Sequence, residues 1–132
     1  AVRKAATDFP SLNVTAAWWN NSWHVTVGAR PLRATLLQGE ACGLTAEQPS
    51  EDELRALAAS VRALSYGTNL WGSAAYRRRI SAPLAVQAVR RAAGIELSAA
   101  LARELETVQI PKFATDEYSC RRVPGVDSSE VR

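Results

Sequence analysis

The sequence predicts an α+β domain: an antiparallel sheet of three strands or slightly more, followed by two to three helices packed on one of its faces. Three observations predict it. Apolar and polar residues alternate with a period of two from Ser11 to Leu37. From Ser50 onward the spacing of apolar residues changes to that of an amphipathic helix. Turn and cap residues (Asn20-Asn21-Ser22, Pro31, Pro49, Gly72, Gly94) fall between the periodic runs. Strands first and helices afterwards is the α+β order.

Each element has its own signal. Pro10 stops any helix and biases Phe9 to an extended backbone. In Ser11–Trp19, Leu12, Val14, Ala16 and Trp18 share one face of a first strand. Asn20-Asn21-Ser22 forms a turn, and Trp23, Val25 and Val27 then mark one face of a second strand, with His24 and Thr26 on the other. Leu32–Leu37 reads as a third strand. Ser50 and Glu53 make a capping box opening a helix whose buried stripe is Leu54, Leu57, Ala58, Val61 and Leu64. The longest helix runs from Gly72 to Ala92, capped by Ser73 and closed by Gly94. Tyr76, Ile80, Leu84 and Ala88 form its expected apolar stripe, and Arg77, Arg78, Arg79, Arg90 and Arg91 its charged flank. Pro83 lies inside it and is expected to kink it. Ser98–Val108 reads as a third helix. The chain divides into 1–94 as the main domain, 95–110 as an additional helix and 111–132 as a polar tail.

Composition narrows the function classes. The chain has 132 residues, 47% hydrophobic and 22% charged, which suits one domain with a real core. The net charge of +3 is mild, because 13 acids, interleaved ones such as Glu51, Asp52, Glu53, Glu104 and Glu106 among them, offset most of the 16 lysines and arginines. Nucleic acid is therefore not an expected partner, and Arg77-Arg78-Arg79 reads as a solvated flank or a contact to another protein. No run has the length of a membrane span, so no membrane partner is expected and the location expected is cytoplasmic. Two cysteines, Cys42 and Cys120, read as separate thiols rather than a metal cluster. His24 is the single histidine and has no nucleophile motif beside it, so it reads as a surface residue rather than a base. No glycine-rich phosphate loop occurs. Trp18 and Trp19 are adjacent in a strand, so one faces the core and the other outward, where it marks either edge packing or a contact surface. The absence of methionine, position 1 included, reads as a chain that starts inside a longer gene product or after a processing event. By these residues alone the chain is a small domain with no catalytic apparatus of its own.

Three stretches in order go further. They are Arg3-Lys4-Ala5-Ala6-Thr7-Asp8-Phe9-Pro10 with the strand after it, Val27-Gly28-Ala29-Arg30-Pro31-Leu32-Arg33-Ala34, and Gly72-Ser73-Ala74-Ala75-Tyr76-Arg77-Arg78 ending in Val89-Arg90-Arg91-Ala92. Together they resemble the C-terminal domain of the FAD-binding subunits of molybdenum hydroxylases, the family of aerobic carbon monoxide dehydrogenase and the xanthine dehydrogenases. The likeness covers about residues 1–93; Pro83 and the extension past Gly94 depart from it.

The resemblance implies a domain beside FAD, which is bound mainly by an upstream FAD-binding domain. It implies iron–sulfur and molybdopterin subunits as partners, with electrons passing from the clusters through the flavin to an acceptor. It places Asp8 near the flavin and Leu37 where an apolar residue approaches the ring, with no catalytic residue and no metal ligand in this segment. The other reading is a stand-alone protein-interaction module of the same fold that holds no flavin.

Overall fold

The computed structural model describes residues 9–106. The chain folds from a hairpin outward. Asn20 and Asn21 both take positive φ, 50° and 57°, the backbone of a type I′ turn, which asparagine tolerates better than most residues. This two-residue loop pairs Trp19 with Ser22 and sets the register of β1 (Asn13–Trp19) against β2 (Ser22–Gly28), with Ala16 opposite Val25. A third strand, β3 (Thr35–Gln38), lies antiparallel on the far side of β2, giving the order β1-β2-β3. The sheet is followed by a short 3₁₀ turn (Gly39–Cys42) and helices α1 (Glu51–Arg62), α2 (Ala74–Ala93) and α3 (Ala99–Glu106).

Two strands begin later than their alternation predicts, and both delays have the same kind of cause. The first was expected from Ser11 and starts at Asn13, because the Ser11 backbone is used elsewhere: its carbonyl accepts from Arg77 and its hydroxyl donates to the Trp71 carbonyl. The third was expected from Leu32 and starts at Thr35, because the Arg30 guanidinium takes the Arg33 carbonyl and closes residues 30–33 into a turn.

Side-chain alternation sorts the sheet into two faces. Trp23, Val25 and Val27 are fully buried on the helix side. Trp18 joins them there, its ring edge-on to Trp23 at 5.7 Å. Trp19 is 70% exposed on the other face, beside His24. Ser50 and Glu53 form the expected capping box at α1, and Leu54, Leu57, Ala58 and Val61 are buried, while Leu64 is half-buried beyond the helix end. Ser98 caps α3 by accepting from Leu101. Leu101 and Leu105 enter the same core as the sheet, so the third helix is part of the main packing unit. Val108 and the 111–132 tail lie outside the described residues, as does Cys120. Cys42 is buried as a free thiol that donates to the Gly39 carbonyl, and burial raises its pKa.

The long helix corrects the expectation of a single apolar stripe with an arginine flank. Its caps are as expected: Ser73 accepts from Tyr76, and Gly94 ends it in the left-handed region at φ 66°. Its span continues through Pro83 without a break. Its buried residues, however, are Arg77, Ile80, Ser81, Ala82, Pro83, Ala85, Val86 and Val89, while Tyr76, Leu84 and Ala88 are only half-buried or partly covered. Residues four apart drift around a helix by about 40° per step, because the turn holds about 3.6 residues. The real buried arc is broader, since β1 packs on one side of α2 and α1 on another.

At the start of α1, one carboxylate joins helix, loop and sheet. Glu53 accepts from the Thr45 amide (2.7 Å), the Thr45 hydroxyl (2.6 Å), the Ala46 amide and the Ser50 amide. The Ala46 carbonyl in turn accepts from the buried Trp23 indole at 2.8 Å. Burial opposes the Glu53 charge, but these donors outweigh it and hold the carboxyl at about 2, from an ordinary 4.5.

Two outcomes test this description. Asn21→Gly removes a side chain from a positive-φ position and is expected to raise the unfolding free energy by about 0.5–1 kcal/mol, seen as a higher urea midpoint at constant slope. An unchanged or lower midpoint contradicts the turn geometry. Glu53 has a lowered folded pKa, so its contribution is present above the ordinary carboxylate range and is lost as the pH falls through about 2. Glu53→Gln should therefore be less stable at neutral pH and lose less stability on acidification than the parent. Parallel acid limbs for the two proteins would contradict this.

Candidate functional site

The segment between α1 and α2 carries the most unusual local structure. Tyr66 is buried and its hydroxyl donates to the Val61 carbonyl at 2.7 Å, anchoring the chain after α1. The Gly67 amide donates to the Arg30 carbonyl at 2.8 Å. The approach is so close that a Cβ on Gly67 would lie 3.2 Å from that oxygen and 3.1 Å from the Pro31 Cβ. Residues 69–72 then fold back on themselves: Asn69 and Gly72 exchange two backbone hydrogen bonds, at 3.1 and 3.2 Å. The Asn69 side chain accepts from the Trp71 amide at 3.0 Å, an Asx turn. Leu70 and Trp71 form the tip, 93% and 41% exposed.

This tip is held by Arg77. Only 1% of Arg77 is exposed. Its Nε donates to the Ser11 carbonyl (2.7 Å), Nη1 to the Gly67 carbonyl (2.9 Å) and to the Gly72 carbonyl, and Nη2 to the Asn69 side-chain oxygen (2.6 Å). Every acceptor is neutral, so the charge is met by oriented carbonyl dipoles rather than a carboxylate. Burial lowers its basicity accordingly. The expected position of Arg77 on a solvated flank is thus corrected: it is the centre of a buried polar knot, while Arg78 and Arg79 are exposed. Arg30 repeats the pattern at 7% exposure. It donates to the carbonyls of Arg33 and Ser65 and to the Thr35 hydroxyl.

Of the residues singled out from the sequence, Asp8 lies outside the described residues. Leu37 sits opposite Val25 on the inner face of the sheet and packs against the core. His24 is half-buried on the open face; one ring nitrogen lies 3.2 Å from the Ser22 carbonyl, and its ring is 5.8 Å from Trp19. Phe9, next to Asp8, is 79% exposed, and it lies two residues before Ser11, which is bonded to both Trp71 and Arg77. Sequence reasoning missed Arg77 and Arg30 as structural centres and missed the Leu70-Trp71 tip. One signal for the tip was available: two large apolar residues between Asn69 and Gly72, both turn formers, have nowhere to be buried.

Among the described residues no group of three or more His, Cys, Asp or Glu converges on a common point. No described helix is long and apolar enough to cross a membrane. The arrangement suits contact: apolar side chains displayed on a turn that backbone and side-chain hydrogen bonds hold at Asn69, Trp71 and Gly72. No protein family, curated protein or solved structure matches the chain.

Replacing the guanidinium tests the brace. An ammonium cannot span acceptors on three segments, so Arg77→Lys should cost about 2–3 kcal/mol by leaving buried carbonyls without donors. The exposed neighbour change Arg79→Lys should stay within about 0.5 kcal/mol in the same urea titration. Equal effects at the two positions would refute the assignment.

Proposed function

We propose that the chain is the C-terminal domain of a flavoprotein subunit of the molybdenum hydroxylase type, covering part of FAD beside an upstream FAD-binding domain and performing no catalysis alone. One observation carries the reading. The second and third of the stretches that bear the resemblance are far apart in sequence, yet they share one hydrogen-bonded knot with Ser11, the residue after the first. Ser11 follows the first stretch and Arg30 lies in the second. Gly72 and Arg77 lie in the third, and Gly67 links Arg30 to Arg77. The convergence supports the reading because it gives residues of the second and third stretches one structural task.

The residues fit a cover over the ring better than a cradle for the phosphates. Phe9, Leu70 and Trp71 offer apolar surface at this end of the sheet, whereas the chain holds no glycine-rich phosphate loop. Bound FAD would supply the electron-transfer chemistry between the iron–sulfur clusters of partner subunits and an acceptor. This chain's part is to exclude water from the ring and set its surroundings. Asp8 is the proposed carboxylate near the ring. Leu37 would have to reach a ring through the side of the sheet where the helices pack. The apolar contact is therefore assigned to Phe9, exposed and adjacent to Asp8.

A second reading, the flavin-free interaction module, draws on the exposed Trp19 and Leu36 of the open sheet face. The two separate cleanly. The flavoprotein reading expects glycine-rich FAD loops encoded directly upstream and a purified full-length product showing the yellow flavin absorbance. A start codon immediately before Ala1 together with a colourless product would select the interaction module.

A further inference from the structure

Charge on this chain is segregated in a way that its mild net charge conceals. Residues 9–39 and 54–95 contain no Asp or Glu at all. The acids of the described part fall in residues 40–53 and 96–106. Arg55 and Arg90 belong to ion pairs with those acids. Arg33, Arg62, Arg78 and Arg79 are exposed and pair with no acid among the described residues. The first turn of α2 carries no acid that would offset them.

The fold gathers several of these arginines around one loop. Arg30 binds the Ser65 carbonyl with Nη1 and the Arg33 carbonyl with Nε and Nη2, which fixes the Arg33 backbone beside the loop after α1. Arg78 lies over the Tyr66 ring, 5.8 Å from its centroid, a cation–π contact that restrains the side chain while leaving its head exposed. Arg62 ends α1, three residues before Ser65. Leu32, half-exposed, adds an apolar element next to Arg33.

We infer that this basic pole, centred on Arg33 and Arg78 and flanked by Arg62 and Arg79, is a docking surface for an acidic protein segment presenting clustered carboxylates. Charge complementarity names the occupant. Guanidinium groups bind carboxylates in a two-pronged geometry, and arginine with nearby apolar surface is the composition of protein-interface centres. A nucleic-acid groove would in addition interleave exposed aromatic side chains with the cations, and Tyr66, the aromatic residue here, is buried beneath Arg78. The inference stands whether or not a flavin domain precedes the chain.

The test is fluorescence anisotropy of a labelled oligo-glutamate peptide with the full chain, at about 0.01 M and about 0.15 M ionic strength. Binding is expected, weaker at the higher salt. Arg33→Glu and Arg78→Glu should each weaken it by about tenfold or more. Arg91→Glu makes the same change in net charge but lies about 20 Å further along α2 from Arg78, and should leave binding within about twofold. Circular dichroism of each variant shows that the fold is kept; where one unfolds, the corresponding Arg→Gln change replaces it. Absence of peptide binding overturns the proposal. So does an equal loss in Arg91→Glu, which would mean undirected charge attraction. Tighter binding of a single-stranded oligonucleotide than of the peptide, or displacement of the peptide by stoichiometric tripolyphosphate, would overturn it in favour of a phosphate ligand.

Discussion

The Arg77 guanidinium, buried with only neutral oxygens as its described partners, organises this molecule. Taking a guanidinium out of water is costly unless its donors are met. The fold meets those of Arg77 by bending the chain before β1 and the whole α1–α2 connection so that four oxygens point at one side chain. The demand explains several features at once. It explains why β1 starts two residues late and why residues 69–72 close into a tight turn although little apolar packing supports the exposed tip. It also makes the three segments interdependent: none can shift without leaving a donor or a carbonyl unmet.

The other end of α1 solves the opposite problem with the opposite charge. Glu53 gathers backbone amides from the loop after the 3₁₀ turn and from the helix start, where the helix dipole also favours an anion. Arg77 gathers backbone carbonyls. Glu53 stands in the first turn of α1, and the Arg77 knot gathers the chain that follows the end of that helix. Each fixes irregular chain that the core alone would leave loosely placed. Hydrophobic burial supplies the bulk of the driving force, and the two ionic knots decide where the loops go.

Much of the fold was legible in the sequence. The Asn20-Asn21 turn, the Ser50–Glu53 box, the Ser73 and Gly94 caps and the Trp23-Val25-Val27 face are local signals, each set by a few neighbouring residues, and each appears where the pattern puts it. Arg77 was not legible, because its burial depends on carbonyls up to 66 residues away and nothing in Tyr-Arg-Arg-Arg distinguishes the first arginine from the next two. The trimmed start of β3 has the same origin, since a guanidinium competing for the Arg33 carbonyl leaves no trace in an alternation pattern. Of the site, the order of the motifs was visible, and the meeting of Ser11, Arg30, Gly67, Gly72 and Arg77 was not. Leu37 shows the limit well: a strand-end leucine can face either side, and only the register with Val25 turns it toward the helices.

The cations of the described fold are arginines throughout; the chain's two lysines, Lys4 and Lys112, both fall outside residues 9–106. The positive end of the domain is therefore permanent. Acetylation and other acyl transfers to amines have no target there, and no proton leaves a guanidinium across the physiological pH range. Amine-directed cross-linkers will report only on the two ends of the chain. Whatever meets this surface can be released by salt, by competition or by a change in the partner, but not by erasing the charge through chemistry at a lysine.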